Sequence, residues 1–314
     1  MILDIKDLLK EMLKRNASDL HIGAKSPIRF RIDGGLVEKD DKILSQDDVK
    51  GLIYSLLSKE QIQRFEHDWE LDFSFGIENV SRFRINVFKQ RGSLGAAIRL
   101  IPYDIMSFTQ CGLPVDAVTE FCKKQKGLVL VTGATGSGKS TTLASMIDFI
   151  NSHRSCHIIT IEDPIEFIHK NKRSIVDQRE VYNDTHSFGA SLKHVLRQDP
   201  DVILIGEMRD LETIESALII AETGHLVFAT LHTSDCVQTI NRVVDVFPAH
   251  QQQQIKLQLS FVLQAVLSQQ LLPKQKGQGR VLATEVLTAT PAVRSLVRES
   301  KIHQIYSVIQ TSQK

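Results

Sequence analysis

Apolar positions in residues 1–16 repeat with a helical period. Ile5, Leu8, Leu9, Met12 and Leu13 fall at i, i+3, i+4, i+7 and i+8. Asp4, Asp7 and Glu11 dilute the basic face that a membrane-surface helix needs, so this helix is expected to pack on a core. From Asp19 to Ile101 the period becomes two. Ile28, Phe30 and Ile32 alternate with Arg29 and Arg31, and Asp33-Gly34-Gly35 then marks a turn. A helical stretch is predicted from about 45 to 64. Asp72-Phe73-Ser74-Phe75 alternates again, as do Phe83, Ile85 and Val87 with Arg82, Arg84 and Asn86. Ala97–Ile101 reads as a last strand, closed by Pro102. The pattern predicts a small α+β domain with an antiparallel sheet over 1–102.

Residues 103–114 have two Pro-bounded ends, a Gly and little periodicity, and are expected to be a linker. Over 115–314 strands and helices then alternate. Leu128–Thr132, His157–Ile161, Val202–Ile205 and Leu226–Leu231 are short apolar runs of the kind found in buried parallel strands. The helices between them imply βαβ units and a doubly wound α/β sheet. Gln251–Leu272 is expected to be helical, with Ile255, Leu257, Leu259, Val262, Leu263, Val266 and Leu267 on its apolar side.

Composition narrows the class. The 314 residues allow two domains at roughly 100–200 residues each. Apolar residues make up 42% and charged residues 24%, which excludes a mainly disordered chain. The net charge of +1 lends no support to nucleic-acid binding. Cys111, Cys122, Cys156 and Cys236 form no C-x-x-C pair, so a reduced setting without a disulfide scaffold is expected. The longest apolar runs fall far short of the about 18 residues that span a bilayer, and the N-terminus lacks the basic-then-apolar order of a signal peptide.

The strongest chemical signal is Gly133-Ala134-Thr135-Gly136-Ser137-Gly138-Lys139-Ser140, a full match to G-x-x-x-x-G-K-[ST]. It stands between a predicted strand and a predicted helix, the setting of a phosphate-binding loop. The glycines let several N–H groups turn inward, and the helix start adds positive potential. Lys139 would reach the β- and γ-phosphates, Ser140 would hold Mg²⁺, and Thr141 would add an α-phosphate contact. In open α/β sheets ligands bind beyond the C-terminal strand ends. Glu162-Asp163-Pro164 follows one apolar run and Gly206-Glu207 another. One acid would serve the metal and another would align the attacking water; the alternative is that these acids simply cap the helices that follow, a reading stronger for Asp163 before Pro164 than for Glu207. The usual Asp at the end of the second motif's strand is replaced by Gly206, which moves the acid to Glu207.

His225 and His232 bracket the run Leu226–Leu231. A zinc pair would lack a third ligand at suitable spacing. His232 falls at the strand end, where it would sense the nucleotide or bond an acid, and plain packing is the alternative for each histidine. Arg82, Arg84, Arg91 and Arg99 stud the end of the first domain. They form either a solvated face or a set that reaches a γ-phosphate in a neighbouring subunit.

Taken in order, these residues resemble the secretion-superfamily ATPases, and most closely the PilT-type twitching-motility ATPases that retract type IV pili. Gly133–Thr141 resembles their Walker A, Ile161–Phe167 their Asp box, Arg197–Asp210 their Walker B region, and Thr223–Thr233 their His box. Ala17–His21 and Arg82–Asn86 resemble their N-terminal domain, so the likeness covers nearly the whole chain. The resemblance implies a PAS-like N-terminal domain, a RecA-like P-loop core and a cytoplasmic homohexameric ring with ATP and Mg²⁺ held between domains. It further implies that Glu162 and Glu207 share the metal and water work, that His225 and His232 matter for the motor, and that Arg82, Arg84 and Arg99 complete the site. Expected partners are further copies of the chain, an inner-membrane platform protein at the pilus base and related pilus ATPases.

The long N-terminal extension and tetra-cysteine insertion of the assembly and type II branches have no counterpart here. Ala292–Glu299 resembles the motif linked to retraction, with Ser295 in place of the usual Asn. That departure, and the chain's close at Lys314, motivate an alternative: an accessory PilU-like or assembly-type ATPase with slow or partner-dependent turnover. A nucleic-acid translocase is disfavoured by the balanced charge.

Overall fold

Two compact units divide the chain at Tyr103 and Asp104. The computed structural model describes residues 4–77, 81–101, 105–275 and 279–311. The first three residues of the expected N-terminal helix, the strand stop at Pro102 and linker residues 103–104 lie outside the described residues.

In the first unit α1 (Ile5–Lys14) starts where the Asp4 carboxylate accepts the Lys6 N–H at 2.8 Å, and it buries Ile5, Leu8, Leu9 and Met12. The sheet contains β1 (Asp19–Gly23), β2 (Arg29–Ile32), β3 (Gly35–Glu38), β4 (Glu70–Ile77), β5 (Ser81–Gln90) and β6 (Ser93–Ile101). Its order is β3-β2-β1-β6-β5-β4 and every pairing is antiparallel. One face carries Leu20, Phe30, Phe83, Ile85 and Ile98 into the core. The helix expected from 45 to 64 is instead α2 (Gln46–Tyr54) and α3 (Lys59–Asp68). The break is chemical: Ser58 and Gln61 form a capping box, and so begin a new helix within what composition alone reads as one.

The second unit opens with a one-turn helix, α4 (Phe108–Cys111), inside the stretch expected to link the domains. Ser107 and Gln110 cap it, and buried Phe108 stacks on Phe149 with ring centroids 5.2 Å apart. Then follow α5 (Val115–Lys123), β7 (Gly127–Thr132), α6 (Lys139–His153), β8 (His157–Glu162), β9 (Ile175–Glu180), α7 (Phe188–Val195) and β10 (Val202–Ile205). The chain continues through α8 (Leu211–Glu222), β11 (Leu226–Leu231), α9 (Cys236–Asp245), α10 (Ala249–Val262), β12 (Leu263–Pro273), β13 (Arg280–Thr288), α11 (Pro291–Arg298) and α12 (Ile305–Thr311).

The sheet order is β13-β12-β7-β11-β10-β8-β9, with β12 and β13 antiparallel and the other pairings parallel. Every residue of β7, β10 and β11 is buried, as expected for parallel strands covered on both faces. Leu130, Ile161, Ile203 and Val227 pack on one face with residues of α7 to α11. Val129, Val131, Ile158 and Phe228 pack on the other with residues of α4 to α6.

The expected helix over 251–272 is corrected by the structure: it ends at Val262, and Leu263, Val266 and Leu267 belong to β12. A short buried apolar run does not distinguish helix from strand. What ends α10 is remote in sequence. The Arg294 guanidinium donates to the carbonyls of Ser260 at 2.8 Å and Phe261 at 2.7 Å, taking up the last turn's acceptors.

Candidate nucleotide site

Strand β7 delivers the chain to Gly133, and α6 resumes it at Lys139, with the loop between them at the C-terminal edge of the parallel sheet. Gly133 has a φ of +142°, and a Cβ there would strike the Gln269 carbonyl and the Ser137 hydroxyl, so only glycine fits. Ala134, Thr135 and Gly136 are exposed, while Ser137 is buried. The Lys139 ammonium donates to the carbonyls of Gly133 at 2.7 Å and Ala134 at 3.1 Å. Burial pulls its pKa below the ordinary lysine value, while Glu207 and Glu166 pull it back up. Ser140 and Thr141 follow in the first turn of α6, half-buried. The Ser137 hydroxyl is buried without a hydrogen-bond partner among the described residues, as expected of a loop built around a polar ligand.

The neighbouring strands bring acids to the same edge. Glu162 ends β8, and its Oε1 accepts from the Thr160 hydroxyl at 2.6 Å and the Gln178 amide at 3.2 Å. Burial pushes its pKa up to about 7, against the pull of Thr160, Gln178 and the Glu166 backbone N–H. Asp163 follows Glu162, is exposed, and lies within electrostatic reach of Arg209. Glu207 lies just beyond β10, with 20% of its side chain exposed. Its Oε1 meets the Arg209 guanidinium at 2.6 Å and His232 Nε2 at 2.8 Å. Burial works to raise its pKa, but Arg209 and His232 outweigh it and hold the carboxyl below the usual range.

The shift of the acid from 206 to 207 has a steric cause. Gly206 donates its N–H to the Ile161 carbonyl at 2.8 Å, and a Cβ there would lie 3.2 Å from the Glu162 Cα. A side chain at 206 would therefore press on the end of the neighbouring strand β8. The Thr230 hydroxyl donates to the Gly206 carbonyl at 2.6 Å, and Met208 donates its N–H to the Thr230 carbonyl at 3.0 Å, fixing the segment that carries Glu207.

His225 does not reach this edge. His225 precedes β11 and His232 follows it, which at 3.3 Å per residue separates them by roughly 20 Å. His225 Nδ1 lies 3.2 Å from both the Thr223 hydroxyl and the Ile220 carbonyl, at the opposite end of the strand. Arg82, Arg84 and Arg99 belong to the first unit, on the solvent face of β5 and β6. Arg84 and Arg99 stand directly opposite each other. Arg82 donates to the Ser74 hydroxyl at 3.1 Å through Nε, Arg84 Nε lies 4.0 Å from Asp72, and Arg99 pairs with Asp19 at 2.8 Å.

Residues without an assigned role in the sequence reading also build the site: Thr160, Gln178, Arg209 and Gln269. Arg209 was within sight, two places after Glu207. Gln178 and Gln269 carry no local signal, because each depends on a strand placed beside the site by the fold.

Residues 1–314 match the Type II/IV secretion system protein family. The chain belongs to this family. It is 49% identical to the type IV pilus retraction ATPase PilT of Pseudomonas aeruginosa, over 98% of this chain and 89% of that protein. It is 46% identical to a twitching motility protein of Neisseria gonorrhoeae, over 96% of this chain and 80% of that protein. A crystal structure of the pilus retraction motor PilT with bound ADP superposes with a TM-score of 0.93 at 52% identity, covering 98% of this chain and 90% of that one. The fold of this secretion-family chain is accordingly a RecA-like P-loop core with a smaller PAS-like N-terminal α+β domain. No helix among the described residues is long and apolar enough to cross a membrane.

Proposed function

We propose that this ATPase is a motor that couples ATP hydrolysis to the retraction of type IV pili. We infer that it works as a cytoplasmic homohexamer at the inner-membrane base of the pilus, docked on a platform protein and able to mix with related pilus ATPases. The observation that carries the reading is the meeting of Lys139, Glu162, Glu207 and His232 at one sheet edge, in a chain close to PilT over nearly its whole length.

The loop Gly133–Thr141 would wrap the phosphates with backbone N–H groups, and Lys139 would leave its loop carbonyls for the β- and γ-phosphates. Ser140 and Glu207 offer hard oxygen donors, which suit Mg²⁺, and its charge would offset that of the phosphates. The two glutamates divide the work by environment. Glu207 is held ionised by Arg209 and His232 and suits the metal. Glu162 is poised near 7, where it can take a proton from the attacking water. Asp163 would steady Arg209 beside them. Arg82, Arg84 or Arg99 would complete the site from a neighbouring subunit, and His225 would act at a distance, on the coupling of nucleotide state to movement.

Two experiments test the reading. Lys139→Ala is expected to lower ATP turnover by about 100-fold or more, from the loss of charge on the transferring phosphate. A strain lacking the protein is expected to keep its pili and lose surface motility. A Lys139→Ala variant that hydrolyses ATP as fast as the parent would remove the site assignment, and normal motility would remove the retraction assignment.

A further inference from the structure

We propose that Gln269 is a positioning residue for the nucleotide loop, which its side-chain amide and backbone carbonyl hold open toward the phosphates; this rests on reading Gly133–Ser140 as the nucleotide site. Strand β12 runs parallel beside β7 with Ser268 opposite Thr132, so Gln269 stands beside the first residue of the loop. The residue is 4% exposed, and its Nε2 donates to the Ser137 carbonyl at 2.8 Å. Its backbone carbonyl occupies the space that a Cβ on Gly133 would need. A Cβ on Gly138 would lie 3.2 Å from its Nε2. One glutamine thus meets the loop at Gly133, Ser137 and Gly138.

Peptide geometry says what the contact does. In a trans peptide the C=O and the following N–H point in opposite directions. Anchoring the Ser137 carbonyl on Gln269 therefore commits the Gly138 N–H to the far side of that peptide, away from β12. Without the anchor the peptide is free to turn, and a carbonyl would then face the incoming phosphate.

A second observation separates this role from packing. The Gln269 Oε1 is buried without a partner among the described residues, as is the Ser137 hydroxyl beside it. A methionine would fill the same space with no unmet oxygen. What the amide supplies that a methionine would not is the N–H donated to the Ser137 carbonyl.

Gln269→Met and Gln269→Asn test the proposal, the first keeping volume and the second keeping the amide on a shorter arm. ADP affinity is measured by calorimetry and ATP turnover by phosphate release. Both variants are expected to raise the ADP dissociation constant and the KM for ATP about tenfold, with kcat at saturating ATP within about threefold of the parent. A merely structural role would lower the folded fraction, and with it kcat, while leaving KM unchanged. A folded variant with parental ADP affinity and KM overturns the proposal. Lys139→Ala serves as the control: if it binds ADP like the parent, the site is elsewhere and the proposal falls with it.

Discussion

Glu162 and Glu207 sit at the ends of neighbouring strands, yet their surroundings push their proton affinities apart. Burial dominates at Glu162 and raises its pKa to about 7. At Glu207 a guanidinium and an imidazole outweigh burial. The consequence is a pH dependence with a definite sign. Below about 7 Glu162 is mostly protonated and is no longer basic enough to take a proton from the attacking water, so on the proposed reading turnover is expected to fall as pH drops through that value. The Thr160 hydroxyl donates to the Glu162 carboxylate and so favours its charged form. Thr160→Val removes that donor and is expected to move the acid limb of the kcat profile to higher pH by up to about one unit. The loss would be greater at pH 6 than at pH 8. Identical acid limbs in parent and variant would show that Glu162 is not the group being titrated.

At the scale of elements, what the sequence discloses depends on whether the cause of a structure is local. The strands β7, β8, β10 and β11 were legible because each is a short apolar run closed by a loop, and the loop after β7 declares its chemistry in eight consecutive residues. Their parallel order then brings Lys139, Glu162, Glu207 and His232 together with little further information. The edge strands β9 and β13 were not legible, since neither has the continuous apolar run of a central strand. The α10–β12 junction was misread because its cause lies some thirty residues downstream, in Arg294. That guanidinium also donates to the Ala289 carbonyl at 3.0 Å and to the Gln264 side chain at 3.3 Å. Arg294→Met keeps the stem and deletes these donors. It is expected to cost about 1–3 kcal/mol, from carbonyls left without partners, and to lower the denaturant midpoint. Ser295, the departure from the family motif, instead donates to Glu299 at 2.7 Å on the exposed side of α11. Its replacement by Asn is therefore expected to leave stability within about 0.5 kcal/mol of the parent.

At the scale of the whole molecule the proposal that first-unit arginines complete a neighbouring subunit's site can be tested, and the partners of each arginine decide which to replace. Arg99 is tied to Asp19, a largely buried carboxylate, so its removal would disturb the first unit's own fold. Arg82 is engaged by Ser74 across two strands. Among the described residues Arg84 has only a loose contact with Asp72 at 4.0 Å and is exposed, so Arg84→Ala would cost least in stability. If an arginine acts on a neighbouring subunit's nucleotide, Arg84→Ala is expected to slow turnover by about 10³-fold while ADP still binds. Complementation then separates action within a chain from action between chains. A Lys139→Ala chain keeps its arginines and loses its loop, and an Arg84→Ala chain keeps its loop and loses the arginine. Each alone would turn over only at its slowed rate. Mixed in equal amounts, rings with the first beside the second would contain some complete sites, so activity is expected to return to a fraction of the parent's and to rise with total protein concentration as rings form. If the arginine serves its own chain's loop, no mixed site is complete and the mixture stays as slow as its parts.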